Sequence, residues 1–370
     1  MHQRDQEPLQ ISRDTGLAGA PLLLGDDYGR VRTVVTAPLA DASRVALPAA
    51  GRHFGAFPFA RNEPGHLYET APAQPAAPSG AMTTTGRTLD RLPDPAQYGA
   101  AVARAAATIR RAPHALEKVV LARALDYRTD AALDPVQIAL RLAADRAVTS
   151  YAFPLPQGAG APPRWLVGAT PELLLSKTGP RIASHPLAGS IRRQADPAAD
   201  RAAAQQLLAS RKDLTEHRVV VEYIHDLLAP HCRDLAIPAS PGLEQTASMW
   251  HLGTRIEGRL RDDAMPCLDL VHLLHPTPAV AGHPLAAALE TITEAEPFAR
   301  DFYAGTLGWV DAQNDGAWHV TLRCAIIDGQ RARLFAGAGI VGASQPDDEV
   351  AETRAKFIAM RSALGISDSL

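Results

Sequence analysis

The sequence predicts an α+β fold built on large, mainly antiparallel sheets. Two observations carry that expectation. Four strand-like runs follow one another between Thr149 and Leu187 with only tight turns between them, and strands joined so closely pair antiparallel. The helix-like runs are grouped late rather than alternating one for one with strands, as a parallel sheet would require.

Composition sets the outer limits. The chain has 370 residues, 46% hydrophobic and 21% charged, which suits a globular protein with a full core. Residues 1–20 read as a tail and 21–370 as one domain, in which 21–95 form a front part and 96–370 the core. A net charge of −3 gives no whole-molecule attraction to nucleic acid or to an anionic membrane. Any anionic ligand must therefore be held by local cations. Cys232, Cys267 and Cys324 are odd in number and lack C-x-x-C spacing, which argues against a disulfide framework or a zinc site. The polar start Met1-His-Gln-Arg has no apolar signal core, and no apolar run is long enough to span a bilayer. A cytoplasmic protein is the expectation.

Taken in order, Ala20 to Tyr68 holds short apolar runs such as Val31 to Val35 and Phe54 to Phe59, broken by Gly and Pro, which read as short strands. Thr70 to Gly86, rich in Ala, Pro, Thr and Ser, reads as a loop or linker. Pro93 to Ala112 reads as a helix opened by Asp94-Pro95. Lys118 to Arg123 is a β-branched run that reads as a strand, and Asp134 to Asp145 reads as a helix. The four close strands are Thr149 to Leu155, Trp165 to Ala169, Leu173 to Lys177 and Arg181 to Leu187. Helices follow at Pro197 to Ala209 and Asp213 to Leu228, an extended stretch at Ser248 to Glu257, and short helices at Cys267 to Leu274 and Pro284 to Thr293. Between the last two, three prolines and a glycine forbid regular structure over His275 to Pro284. Trp318 to Ile327 and Arg333 to Phe335 read as strands, Gly337-Ala338-Gly339 as a turn, and Ser344 as the cap of a last helix.

Several residues stand out against this frame. Asp213/Glu216 and Glu349/Glu352 are two acid pairs at i, i+3 spacing, so each pair points from one helix face. The first pair shares its face with Val220, Ile224 and Leu227. Acids on such a stripe are either solvated at its edge or, if two helices face each other, form an all-oxygen site suited to Mg²⁺. Lys356 lies one turn past Glu352, as a salt-bridge partner or an anion contact. Lys118, inside an apolar strand, either snorkels outward or sits buried with a depressed pKa as a general base. Glu172, at a Pro turn entering an apolar strand, is a solvated turn carboxylate or a buried acid that keeps its proton. Gly337 to Gly339 offers amides for a carboxylate, Gly189-Ser190 is similar, Arg323 calls for an anionic partner, and His251 is a donor or a satisfied core histidine.

Together these strings resemble the chorismate-utilising enzymes. The resemblance is carried by Lys118-Val-Val-Leu-Ala-Arg, Thr170-Pro-Glu-Leu-Leu-Leu, Pro186-Leu-Ala-Gly-Ser-Ile-Arg-Arg, Lys212-Asp-Leu-Thr-Glu-His, Trp250-His-Leu, His275-Pro-Thr-Pro-Ala-Val-Ala-Gly, Thr321-Leu-Arg-Cys-Ala, Phe335-Ala-Gly-Ala-Gly-Ile-Val and Glu352-Thr-Arg-Ala-Lys, in family order. It implies that helices pack outside the sheets, with the active site between the halves. Its wording is nearest to the isomerising branch, which moves the C4 hydroxyl of chorismate to C2 with Mg²⁺ and water. Isochorismate then feeds siderophore, salicylate or menaquinone synthesis. By that resemblance Lys118 activates water and Glu172 protonates the leaving hydroxyl. Glu216 and Glu352 hold Mg²⁺, with Asp213 and Glu349 helping through water. Arg323, Lys356 and the amides of Gly337, Ala338 and Gly339 hold the enolpyruvyl carboxylate. Gly189, Ser190, His251, Ala279, Val280 and Tyr303 complete the substrate contacts. Ala279, where salicylate-forming members usually carry Thr, favours stopping at isochorismate. The string after Thr277 departs from that of the aminating members, so no glutamine-hydrolysing partner is expected, and the chain is expected to be a monomer. A salicylate-forming enzyme and a non-catalytic ligand-binding relative are the alternatives.

Overall fold

A computed structural model describes residues 10–12, 16–48, 50–74, 86–157 and 161–366. The front of the chain supplies β1 (Gln10–Ser12), β2 (Pro21–Leu24), β3 (Asp27–Pro38), α1 (Leu39–Ala42), β4 (Arg52–Phe57), β5 (Pro64–Pro72) and β6 (Gly86–Leu92). Next come α2 (Pro95–Arg111), β7 (Lys118–Thr129) and α3 (Pro135–Leu142). The close strands are β8 (Thr149–Leu155), β9 (Arg164–Thr170), β10 (Leu173–Thr178), β11 (Arg181–His185) and β12 (Leu187–Arg192). Helices α4 (Pro197–Ala209) and α5 (Arg211–Leu228) lead to β13 (Cys232–Ala236), β14 (Gly242–Gln245), β15 (Met249–Gly253) and β16 (Ile256–Leu260). After them lie α6 (Cys267–Leu274), β17 (Gly282–His283) and α7 (Leu285–Ala295). The chain closes with β18 (Thr306–Asp311), β19 (Gly316–Val320), β20 (Cys324–Asp328), β21 (Arg331–Ile340) and α8 (Pro346–Ala363).

The antiparallel expectation holds. Every pairing between strands is antiparallel, and eighteen strands join in one network. The strand that opens on Lys118, β7, lies at one end of it. β7 pairs with β21 along one edge, and with β6 and β17 along the other. From β21 the ladder runs through β20, β9 and β8 to the front strands, then through β18 and β19 to β10 and β11. A second, three-stranded sheet joins β12, β15 and β14. Helices cover the outside: α8 packs on β21, α2 on α8, α3 on β8 and β9, and α5 on β12. Local chemistry sets their starts. Asp94 and Gln97 form a reciprocal capping box at α2. Ser210 accepts the amide of Asp213 at α5.

Several expectations need correction. The front of the chain is not only a tail, because Gln10–Ser12 pairs with β3 and Leu17 is buried. Thr70 belongs to β5, and residues 75–85 of the expected linker lie outside the described residues. The run Arg181 to Leu187 divides between two sheets at Pro186. Trp318 to Ile327 is two strands. Between them Thr321 pairs with Gly305 and bonds Phe302, and Arg323 takes a φ of 48°. Ser344 is not the cap of α8; its hydroxyl accepts the amide of Val341 and Gln345 takes the cap position. Gly337 to Gly339 is not a turn. These residues lie in register opposite Ala122, Leu121 and Val120 of β7. Glycine is needed at 339 for close approach, since a Cβ there would lie 2.0 Å from Glu216 Oε1.

Candidate active site

Between β7, β21, α5, α8 and the β9–β10 turn lies a cavity. Of the residues singled out in the sequence, Glu172, Glu216, His251, Ala279, Val280, Tyr303, Arg323, Gly337, Gly339 and Lys356 line it. Lys118 is wholly buried in the adjoining wall, with its Nζ 3.1 Å from Glu216 Oε1. Ser190, Asp213 and Glu352 border the adjoining outer groove. Three expected substrate contacts do not line the cavity: Ala338, Gly189 and Ser190, the last bordering the outer groove instead. Ala338 faces away from it, as strand alternation requires between two inward positions. Gly189 turns at φ +82° against α5, where a Cβ would lie 2.8 Å from that of Asp213.

One wall carries two buried titratable groups. Glu172 is fixed by its backbone: its amide donates to Thr170 Oγ1 at 3.2 Å and its carbonyl accepts Val320 N–H at 3.1 Å. Burial pushes its carboxyl up to about 8, against the pull of Lys118. Burial also pushes Lys118 down, opposed mainly by Glu216. The two sequence alternatives for these residues are thereby resolved toward burial.

The other wall carries Glu216, with Asp213, Glu349 and Glu352 clustered behind it, and each of the four acids faces a lysine. Lys118 meets Glu216, Lys356 meets Glu352 at 2.5 Å, and Lys212 lies 2.7 Å from Glu349 and 4.0 Å from Asp213. Ser190 Oγ donates to Glu352 at 2.8 Å. Burial would raise Glu352, but Lys356 and Lys212 hold it below the usual carboxylate range. Glu349, fully buried beside Glu352, is pushed up by burial and by its neighbour's charge. His217 anchors α5 from below, its ring between Ala188 O at 3.1 Å and Thr254 Oγ1 at 2.7 Å.

The remaining lining is cationic or apolar. Arg323 contacts His251 Nε2 at 3.3 Å, and its Nη1 is buried without a hydrogen-bond partner. Burial and Arg323 keep His251 neutral, its pKa lowered. Ser190 and His251 sit opposite each other across β12 and β15. Lys356 donates to Gly337 O at 2.9 Å. Tyr303 stacks on Phe335 with centroids 5.0 Å apart.

Three structural participants went unassigned in the sequence. Lys212 stands among the acids, although its place beside Asp213 was visible. Glu296 and Arg300 form a buried ion pair. Arg300 donates to Val120 O and Val280 O, each at 2.7 Å, and Glu296 accepts Ala122 N–H at 2.8 Å. They clamp the loop bearing Ala279 and Val280 onto β7. Their i, i+4 spacing was the only signal, and it is shared by many surface pairs.

Four carboxylates, Glu216 and Glu349 buried and Asp213 and Glu352 partly buried, are a hard-oxygen donor set, which fits Mg²⁺ in chemical type. As the side chains stand, no three His, Cys, Asp or Glu groups converge as a metal cage among the described residues. Each acid is engaged by a lysine instead. Also among the described residues, no helix is long and apolar enough to cross a membrane.

A cavity with a buried acid, a buried lysine and a carboxylate quartet on this antiparallel scaffold defines a class. The family model described as chorismate binding enzyme matches residues 66–365, and the chain belongs to that family. Isochorismate synthase DhbC of Bacillus subtilis is 39% identical over 334 residues, 88% of this chain and 78% of the relative. Isochorismate synthase EntC of Escherichia coli is 41% identical over 322 residues, 84% of this chain and 81% of the relative. A Bacillus anthracis structure assigned as a 2,3-dihydroxybenzoate-specific isochorismate synthase superposes with a TM-score of 0.83 at 35% identity, covering 94% of this chain and 96% of its own.

Proposed function

We propose that this chain is an isochorismate synthase, an isomerase that converts chorismate to isochorismate. Its relatives over most of its length carry that activity in their names. The observation that supports a working enzyme is the pair Lys118 and Glu172 beside one cavity, both buried, each pushed toward its neutral form. A neutral lysine can take a proton, and a neutral carboxylic acid can give one.

In this reading Lys118 accepts a proton from the water that attacks C2. One C–O bond forms there, the ring double bonds shift, and the C4–O bond breaks. Glu172 delivers a proton to the departing hydroxyl, so one water enters and one leaves. Lys118 ends protonated and Glu172 ionised, and exchange with solvent resets both. Arg323 and Lys356 hold the enolpyruvyl carboxylate, while neutral His251, Ala279, Val280 and Tyr303 shape the ring's seat. Glu216 and Glu352 would hold Mg²⁺, with Asp213 and Glu349 helping through water. Bound there, the ion would neutralise the ring carboxylate. Chorismate is a dianion and the chain is net acidic, so local cations must do this work. No glutamine-hydrolysing partner is needed.

The test is product analysis with purified protein, chorismate and Mg²⁺. Isochorismate should accumulate, cease with EDTA and resume when Mg²⁺ is restored. Salicylate with pyruvate, formed without an added lyase, would overturn the assignment in favour of the salicylate-forming branch. Unchanged turnover in EDTA would overturn the metal.

A further inference from the structure

We propose that Lys212 competes with the divalent cation for the carboxylate quartet, so that metal and dianionic substrate load together rather than singly. This rests on the metal reading above. Lys212 lies on α5 directly before Asp213, with its ammonium 2.7 Å from Glu349 Oε1 and 4.0 Å from Asp213 Oδ1. Its charge thus serves the same acids that a metal ion would serve.

The three lysines differ in their freedom to move. Lys118 is sealed, with none of its side chain exposed. Lys356 is held twice, by Glu352 and by Gly337 O. Lys212 has 23% of its side chain exposed and borders the outer groove beside Asp213 and Glu352. Of the three it is the most exposed, on a long flexible stem.

Charge balance gives the swing its consequence. With Lys118 neutral as the base, four carboxylates face two ammonium groups, leaving two negative charges in excess. Without Lys212 the excess would be three, so a divalent ion arriving alone would be drawn to the cluster more strongly. With Lys212 present, a dianion arriving together with the ion supplies the negative charge that Lys212 offsets and leaves the balance unchanged. Lys212 therefore weakens metal binding in the absence of substrate and makes each ligand promote the other. Such promotion is reciprocal by linkage.

Isothermal titration of Mg²⁺ into a Glu172→Gln background, chosen to hold chorismate with little turnover, reads this directly. Without chorismate, adding Lys212→Met should tighten Mg²⁺ binding by about tenfold or more. Chorismate should tighten Mg²⁺ binding by about tenfold in the parent and by clearly less in the Lys212→Met protein. Lys212→Arg, which keeps the charge, should behave as the parent. Equal or weaker Mg²⁺ binding in Lys212→Met, with an unchanged thermal melt, would overturn the proposal. So would a parent whose Mg²⁺ affinity is indifferent to chorismate, and that arm needs no substitution at 212. Mg²⁺ binding by none of these proteins, with or without chorismate, would instead overturn the metal reading on which the proposal rests.

Discussion

The two walls of the cavity treat buried charge in opposite ways. Around Glu172 burial is largely uncompensated: Lys118, the Leu187 amide, Lys356 and Arg323 pull its carboxyl down, yet its pKa rises to about 8. In the quartet burial is compensated, because every acid has a lysine at 4.0 Å or less. On the proposed reading, the first arrangement stores a proton for chemistry and the second stores negative charge for binding. Lys118 belongs to both. Its strand position places it with Glu172, and its ammonium faces Glu216.

The sharpest break in this comparison is the loss of Lys118. Lys118→Met should lower kcat by about 10²- to 10⁴-fold while chorismate still binds, as steady-state kinetics and a binding isotherm will show. Loss of chorismate binding alone, with kcat kept, would move Lys118 from the chemical wall to the binding wall.

Glu172 tests the uncompensated wall through pH. Its acid form is lost as pH rises through about 8, so kcat/KM should fall on the alkaline side, and Glu172→Gln should lose that limb with most of its activity. Stability should move the other way. With its folded pKa raised above the unfolded value, Glu172 costs the fold nothing at low pH. The cost begins near the unfolded value of about 4.5 and grows until pH reaches the folded value of about 8. Glu172→Gln should therefore stabilise the fold at neutral pH by on the order of 1–3 kcal/mol, a gain that thermal melts should show fading toward pH 4.5. A melt difference independent of pH would mean that Glu172 is not the buried proton store.

The smallest expected effect probes the contact between the walls. In Gly339→Ala the new Cβ would meet Glu216 Oε1 at 2.0 Å and Lys118 Cε at 3.0 Å. Glu216 must swing aside, so the Mg²⁺ concentration giving half-maximal rate should rise several-fold, by about 1 kcal/mol of lost binding. An unchanged Mg²⁺ requirement would show that Glu216 does not depend on that close approach.

Sequence and structure divided the work along physical lines. Periodicity and caps are local, so α4 and α6 were legible to the residue and α2, α5 and the close strands nearly so. The two acid pairs, Lys118, Glu172 and Arg323 were legible as residue types out of place for their surroundings. Their ordered strings identified the family. What the sequence left open was the side each group took, because burial depends on which distant segments close over it. Glu172 is solvated or buried according to where β19 and β12 come to lie. Gly337 to Gly339 read as a turn because glycine marks both turns and close approaches, and only the arrival of α5 beside β21 decides between them. Lys212 was in plain view beside Asp213, yet its partner Glu349 lies 137 residues away. The sequence determined which charges this protein carries; tertiary packing alone determined which of them are paired and which are left to react.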